Sequence, residues 1–295
     1  MAGKTCAAAV AENTPALSVA ASSEPAPSGW SARLDLGFQV GQGRTVLAHR
    51  ERRGPLAVQR PFYPEGEVCH VYLLHPPGGV VGGDQLHTEV ELAPNSRALL
   101  TAPGATKFYR SAGAVASQEQ RFNVGDGASL EWLPHENILF PGARVRSQTR
   151  VELQGDAHLA LWEIHCLGRP VIGEVFSEGS LQTGLQLWRD GRPLLLERLR
   201  VDAQQRQCGS ILAGRAVTAT ALFSHSGEAE LTAARDCIAE AGPGLAAATL
   251  VDDLLLLRYL GDSTEKARAL FTQTWAALRP RLFGRPAVAP RIWST

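Results

Sequence analysis

Three carboxylates stand where a carboxylate is costly. Asp84 closes the apolar glycine loop Gly78-Gly79-Val80-Val81-Gly82-Gly83. Glu163 lies in the run Leu159–Leu167, on the alternating face that carries Leu159, Leu161 and His165. Glu197 lies in Pro193–Leu199, on the face of Leu195 and Leu199. A buried, unpaired carboxylate persists only with water, a cation or a charged partner. The plain alternative for each acid is a solvent-facing position or an ion pair, with Arg198 and Arg200 the arginines near Glu197 in sequence. The sharper reading is a wet, acid-lined interior. Its oxygen and imidazole ligands would suit a divalent first-row cation in transit rather than a closed cage.

Other chemistries find less support. There is no G-x-S-x-G, no thiol-enzyme motif and no H-E-x-x-H or H-x-x-x-H spacing. Cys69 and His70 alternate to opposite faces of one strand, as do His165 and Cys166, so neither pair can chelate one ion. The glycines Gly78, Gly79, Gly82 and Gly83 invite a phosphate-loop reading. Such a loop needs a helix after its glycines, because the free N–H groups of a helix start hold the anion. Here Leu86, Thr88, Val90 and Leu92 alternate with polar residues, which is a strand. The loop is expected to join strand to strand and bind no nucleotide. Its apolar Val80 and Val81, like the Ile138–Gly142 turn with Phe140, suit a surface that another protein covers.

Composition bounds the class. The 295-residue chain is 44% hydrophobic and 20% charged, with 29 basic and 29 acidic residues. It can bury a sizeable core, and no net field draws it to nucleic acid or an anionic membrane. Five scattered cysteines without a C-x-x-C pair argue against a disulfide framework and for reduced thiols in the cytoplasm. No run is long and apolar enough for a membrane span. Residues 1–28 lack periodicity and are expected to be a disordered extension before a single domain over 29–295.

The elements that must position the acids are mostly strands. Short alternating runs follow one another from Trp30 to Val201, separated by Gly, Pro, Asn and Asp turns, without a visible internal repeat. The C-terminal part, about 211–280, adds a strand over Ala216–Ser224 and a strand pair about Asp252-Asp253. It also adds helices over Glu228–Ala241 and Thr264–Leu278, the second with Asp262 and Ser263 as caps and ended by Pro280. The expected fold is mainly β, a sandwich, a barrel or a β-helix-like stack that periodicity alone does not separate, with two helices packed on a sheet and an extended tail.

Several blocks together resemble the UreD (UreH) family of urease accessory proteins. They are GPLAVQRPFYPEG (Gly54–Gly66), CHVYLLHPPGGVVGGDQL (Cys69–Leu86), TAPGATKFYRS (Thr101–Ser111), LEWLPHENILFPGA (Leu130–Ala143), CLGRPVIGEVFSEG (Cys166–Gly179), LLLERL (Leu194–Leu199) and PRIWST (Pro290–Thr295). The resemblance implies a β-helix-like stack of strands and no enzymatic activity. It implies a scaffold that binds the urease apoprotein and UreF, which recruits the GTPase UreG, in a heteromeric complex with a UreF-mediated dimer as one expected form. Nickel would pass through it to the urease active site, with no tightly bound cofactor. The family's acidic channel residues map onto Asp84, Glu163, where the family pattern carries aspartate, and Glu197. Gly78, Gly79, Val80, Val81, Phe140 and Trp293 are the expected partner-facing residues. The competing expectations are a β-helix-like carbohydrate-active hydrolase or lyase, which needs two acids facing one cleft, and a plain adhesive β module.

Overall fold

The computed structural model describes residues 29–242 and 244–294. The expected disordered extension over 1–28 lies outside them.

The alternating runs form two facing sheets. In the first, Gln85–Leu92, Ala116–Val124, Arg144–Leu153 and Ser180–Arg189 stack as a parallel ladder. After three of these the chain turns a corner and lays a strand in the second sheet: Arg97–Thr101, Ser129–Trp132 and His158–Arg169, again parallel. A shorter third face stacks Thr106–Phe108, Asn137–Leu139 and the end of His158–Arg169. The chain therefore winds as a β-solenoid. Its repeat is one of backbone register, such as Gln85 against Ser117 against Arg146, and no repeating motif accompanies it.

Antiparallel strands finish both ends. Arg44–Arg53 folds back on Ser31–Gly41 at one edge of the first sheet, and Arg192–Asp202 folds back on Ser180–Arg189 at the other. The first edge exposes Arg50, Glu51, Arg52 and Arg53, and the second exposes Arg198 and Arg200. The second sheet continues antiparallel through Val217–Phe223, Leu254–Gly261 and Leu245–Val251.

Side-chain parity then makes three layers. Leu130, Leu159, Leu222 and Leu256 point into a core between the sheets, with Leu34, Val90, Phe122 and Val151 opposite. Alternate residues, such as Trp162, Ala221 and Leu257, meet the helices in a second core. Helix α1 is Glu228–Glu240 and α2 is Thr264–Phe283. Ser263 caps α2, its hydroxyl accepting from the Lys266 N–H at 3.2 Å. Pro280 does not end α2, contrary to the sequence expectation. Buried Arg279 and Leu282 hold the last turn in place, and the helix stops at Gly284, whose φ of 65° suits glycine. The tail is not simply extended either: Arg291–Ser294 forms a 3-10 turn.

Candidate functional site

The interior between the sheets is not uniformly apolar. Thr88, Gln120 and Thr149 sit in register on three stacked strands of the first sheet. Glu163, Thr220 and Arg258 sit in register on the second. Both rows share the inward parity. Thr149 joins them: its hydroxyl lies 3.1 Å from Gln120 Oε1 and 2.5 Å from Glu163 Oε1. The other Glu163 oxygen is 3.6 Å from His165 Nε2. His165 Nδ1 lies 3.5 Å from the Asn137 amide. Arg258 completes the line by pairing with Glu197 across the gap between the sheets.

Two cavities flank this seam, and Glu163 lines both. One, of about 210 Å³, is bounded by His75, Lys107, His135, Gln120 and Thr88 near the glycine loop. The other, of about 670 Å³, opens between Arg192–Asp202 and the C-terminal strands, bounded by His165, Glu197, Thr220 and Arg258. Two histidines of the smaller cavity favour their neutral form, and in His135 the Nδ1 lone pair is taken up by the Arg268 guanidinium. Burial lowers the His75 pKa against the pull of Asp84. Burial and then Arg268 lower that of His135 against Glu136. The neutral His75 imidazole, a carboxylate and amide oxygens can hold a hydrated divalent cation loosely.

The predicted acids do not share one environment. Glu163 and Glu197 line the same cavity, but Glu197 is ion-paired, and with Arg258 rather than Arg198 or Arg200. Asp84 lines neither cavity. Its two oxygens accept the backbone N–H groups of Trp30 at 2.8 Å and Val81 at 2.9 Å, so it braces the glycine loop against the N-terminal strand. That loop leads into a strand, as expected. Gln120, Thr149, Arg258, His75 and His135 were not singled out from sequence. For Gln120 and Thr149, inward parity was the available signal. Arg258 carried none, because its partner lies 61 positions away.

Among the expected partner-facing residues, Val80 is a correction. It is fully buried, bridging in parallel to Phe108 within the core. Trp293 is partly buried: its ring packs on Trp162 and Trp275, and its N–H donates to Thr101 Oγ1 at 3.0 Å. Gly78 and Val81 are exposed. A Cβ on Gly79 would overlap the Tyr109 ring, so glycine is what lets that ring lie down beside Phe140. Arg169 covers Phe140, at 4.6 Å from its centroid, and beyond it stand Val171, 95% exposed, Ile172 and Val175.

The class the fold defines is a β-solenoid with a polar seam between its sheets. Comparison with known proteins is more specific. The family profile described as "UreD urease accessory protein" matches residues 31–294. The urease accessory protein UreD of Alcanivorax borkumensis is 48% identical over 273 residues, covering 90% of this chain and 93% of its own. UreD of Klebsiella aerogenes is 48% identical, covering 92% and 99%, and that of Pseudomonas putida 46%, covering 91% and 95%. The chain belongs to the UreD family, and its role lies in urease maturation.

Among the described residues no helix is long and apolar enough to cross a membrane. Cys69, Cys166, Cys208 and Cys237 are unpaired thiols. Burial pushes the Cys69 thiol up to about 11 and that of Cys166 to about 12, so neither is poised to react.

Proposed function

We propose that this protein is a non-catalytic carrier that conducts nickel between its two cavities toward the urease apoprotein. Glu163 is the one carboxylate common to both, and that observation carries the reading. A divalent cation entering a low-dielectric interior needs negative charge to offset lost hydration. Glu163 supplies it, Thr149 fixes one oxygen, and His165 stands beside the other. Glu197 and Arg258 form the outer gate: a cation that attracts Glu197 competes directly with the guanidinium. Asp84 holds the loop at the smaller cavity's edge and contacts no cargo.

The exposed apolar side chains Val81, Tyr109, Val171, Ile172 and Val175 are where the apoprotein or the UreF and UreG proteins would dock, with the exposed parts of Gly78 and Phe140. Cytoplasmic residence fits the unpaired thiols.

The test is co-expression of Glu163→Gln with urease and the remaining maturation proteins. Complex recovered by pull-down is expected to match the wild type while nickel per urease active site falls at least tenfold. Normal nickel loading with intact assembly would overturn the route.

A further inference from the structure

We propose that Asp156, His158 and His225 form a second metal site, for one divalent transition-metal cation of the zinc–nickel class. One ligand atom from each lies within 4.8 Å of the others. The inference is independent of the nickel route. His158 and Glu163 have opposite parity on one strand, and His158 faces the helix layer against Phe283 of α2.

Each ligand is delivered by a separate piece of the fold. Asp156 sits in the corner turn before His158–Arg169, its N–H donating to Asp126 Oδ1 at 2.8 Å. His158 opens that strand. His225 follows the antiparallel neighbour Val217–Phe223 and adopts a φ of 57°, a conformation uncommon for a non-glycine residue. Such strain persists where its surroundings hold it, and it frequently marks function. Here it lays the His225 ring on His158, with centroids 4.1 Å apart. It also sets His225 Nε2 3.1 Å from Asp156 Oδ1, while His158 Nε2 lies 4.0 Å from Oδ2.

The surroundings favour ligation. Buried Ser224 Oγ lies 3.1 Å from His225 Nδ1 and accepts the Leu159 N–H at 2.8 Å. An Nδ1–H donated to that oxygen leaves the Nε2 lone pair free for a metal, the outer-partner arrangement usual for metal-binding histidines. Burial, then the stacked His225 and Arg189, disfavour protonation of His158, with Asp156 pulling the other way. Asp126 and Asp190 order the same corner through backbone N–H groups and add negative charge. Arg189 is itself held by Asp253 at 2.7 Å. A contrasting group, Asp35, His87 and Glu89, is already served by the Arg33 guanidinium, which bonds Asp35 and Glu89 at 2.7 Å each.

Zinc bonds imidazole nitrogen at about 2.0–2.1 Å, so the ligand atoms must draw together by roughly 1 Å. Side-chain rotation at this partly exposed corner supplies that. The set leaves coordination positions open to water.

The experiment is equilibrium dialysis of the full chain against Zn²⁺ in a Glu163→Gln, Glu197→Gln background, which separates this site from the cavity. The background protein is expected to retain one zinc at low-micromolar free metal and to melt higher with zinc than without. Adding His158→Gln and His225→Gln should weaken that binding at least tenfold and abolish the zinc-induced rise. Should that variant not fold, Asp156→Asn, on a side chain 77% exposed, is the decisive single change and should weaken zinc binding several-fold. Unchanged zinc affinity in the folded double-histidine variant, or in Asp156→Asn, would overturn the proposal, as would a background protein that takes up no zinc.

Discussion

Arg279 and Glu131 meet as a bidentate pair inside the helix–sheet core. The Arg279 Nε and Nη2 donate to the two Glu131 oxygens at 2.9 Å each, with the side chains 0% and 3% exposed. The same guanidinium reaches both Glu65 oxygens, at 2.6 and 2.8 Å, and Glu65 in turn meets His70 Nε2 at 2.6 Å. The Trp275 N–H adds a further bond to Glu131 at 2.6 Å. One side chain on α2 thus fastens the last helix to the sheet and to the loop before Cys69–Leu74.

Removing that cation strands two buried carboxylates. Arg279→Met is expected to cost about 3–5 kcal/mol, read as a lowered denaturation midpoint. Arg279→Met with Glu131→Met should recover part of the loss, because an apolar pair can replace a buried ion pair. A double variant no more stable than the single would contradict this account.

Acid should destabilise the protein in two stages. Burial foremost lowers the folded-state pKa of His75, His135 and His158, so their contribution is complete above the unfolded value, 6.5, and declines as pH falls below it. His135 Nδ1 lies 2.5 Å from Arg268 Nη1, so protonation also breaks a contact to α2. Glu65 acts lower. Burial raises its pKa, but bonds from His70 and Arg279 outweigh that and leave it below 4.5. Its share is therefore present above that value and lost as pH falls through the folded pKa. His135→Gln should flatten the first stage and Glu65→Gln the second, measured as melting temperature against pH.

Amide variants of the cavity acids should scarcely alter stability. Glu197 and Arg258 are 25% and 49% exposed, so their pairing contributes about 0–1 kcal/mol. In Glu163→Gln the amide oxygen can still accept from Thr149, which limits the change to about 1 kcal/mol. A melting temperature that falls sharply in either variant would make the acid structural and remove its place in the nickel route.

The exposed Val171, Ile172 and Val175 give a surface test. Val171→Asp with Ile172→Asp should raise the solubility of the isolated chain and leave its melting temperature within about 1–2 °C, since neither side chain is buried. Pull-down of the maturation partners should drop with it. Undiminished capture would move the docking face elsewhere on the molecule.

Local periodicity made most strands legible, because alternation is set by the pleat itself. The strand expected over Ala216–Ser224 is found at Val217–Phe223, and the pair about Asp252-Asp253 forms as expected. The shared face of Glu163 and His165 followed from the same parity. What escaped was long-range. Glu131 and Arg279 are 148 positions apart and Glu197 and Arg258 61, and neither pair carries a local signature. Thr106–Phe108 and Asn137–Leu139 are too short to show a period and exist as strands because they stack on each other. Asp84 was legible as a special acid but not as a brace, since both its donors are backbone groups. His158 and His225 come together because Val217–Phe223 returns antiparallel along the strand that His158 opens.

A stack of parallel coils has no intrinsic end: each outermost strand offers the groups that a further coil, its own or another molecule's, would use. The first sheet closes that possibility with reversed strands whose exposed side chains include Arg50, Arg52 and Arg53 at one edge and Arg198 and Arg200 at the other. A second copy approaching edge to edge would set arginine against arginine. Along this sheet the molecule is in effect a fibre terminated after a few turns. The second sheet ends differently: its edge strand Leu245–Val251 carries no charge, exposes Leu245 and Val251, and borders the larger cavity, so that edge stays open to a strand from outside.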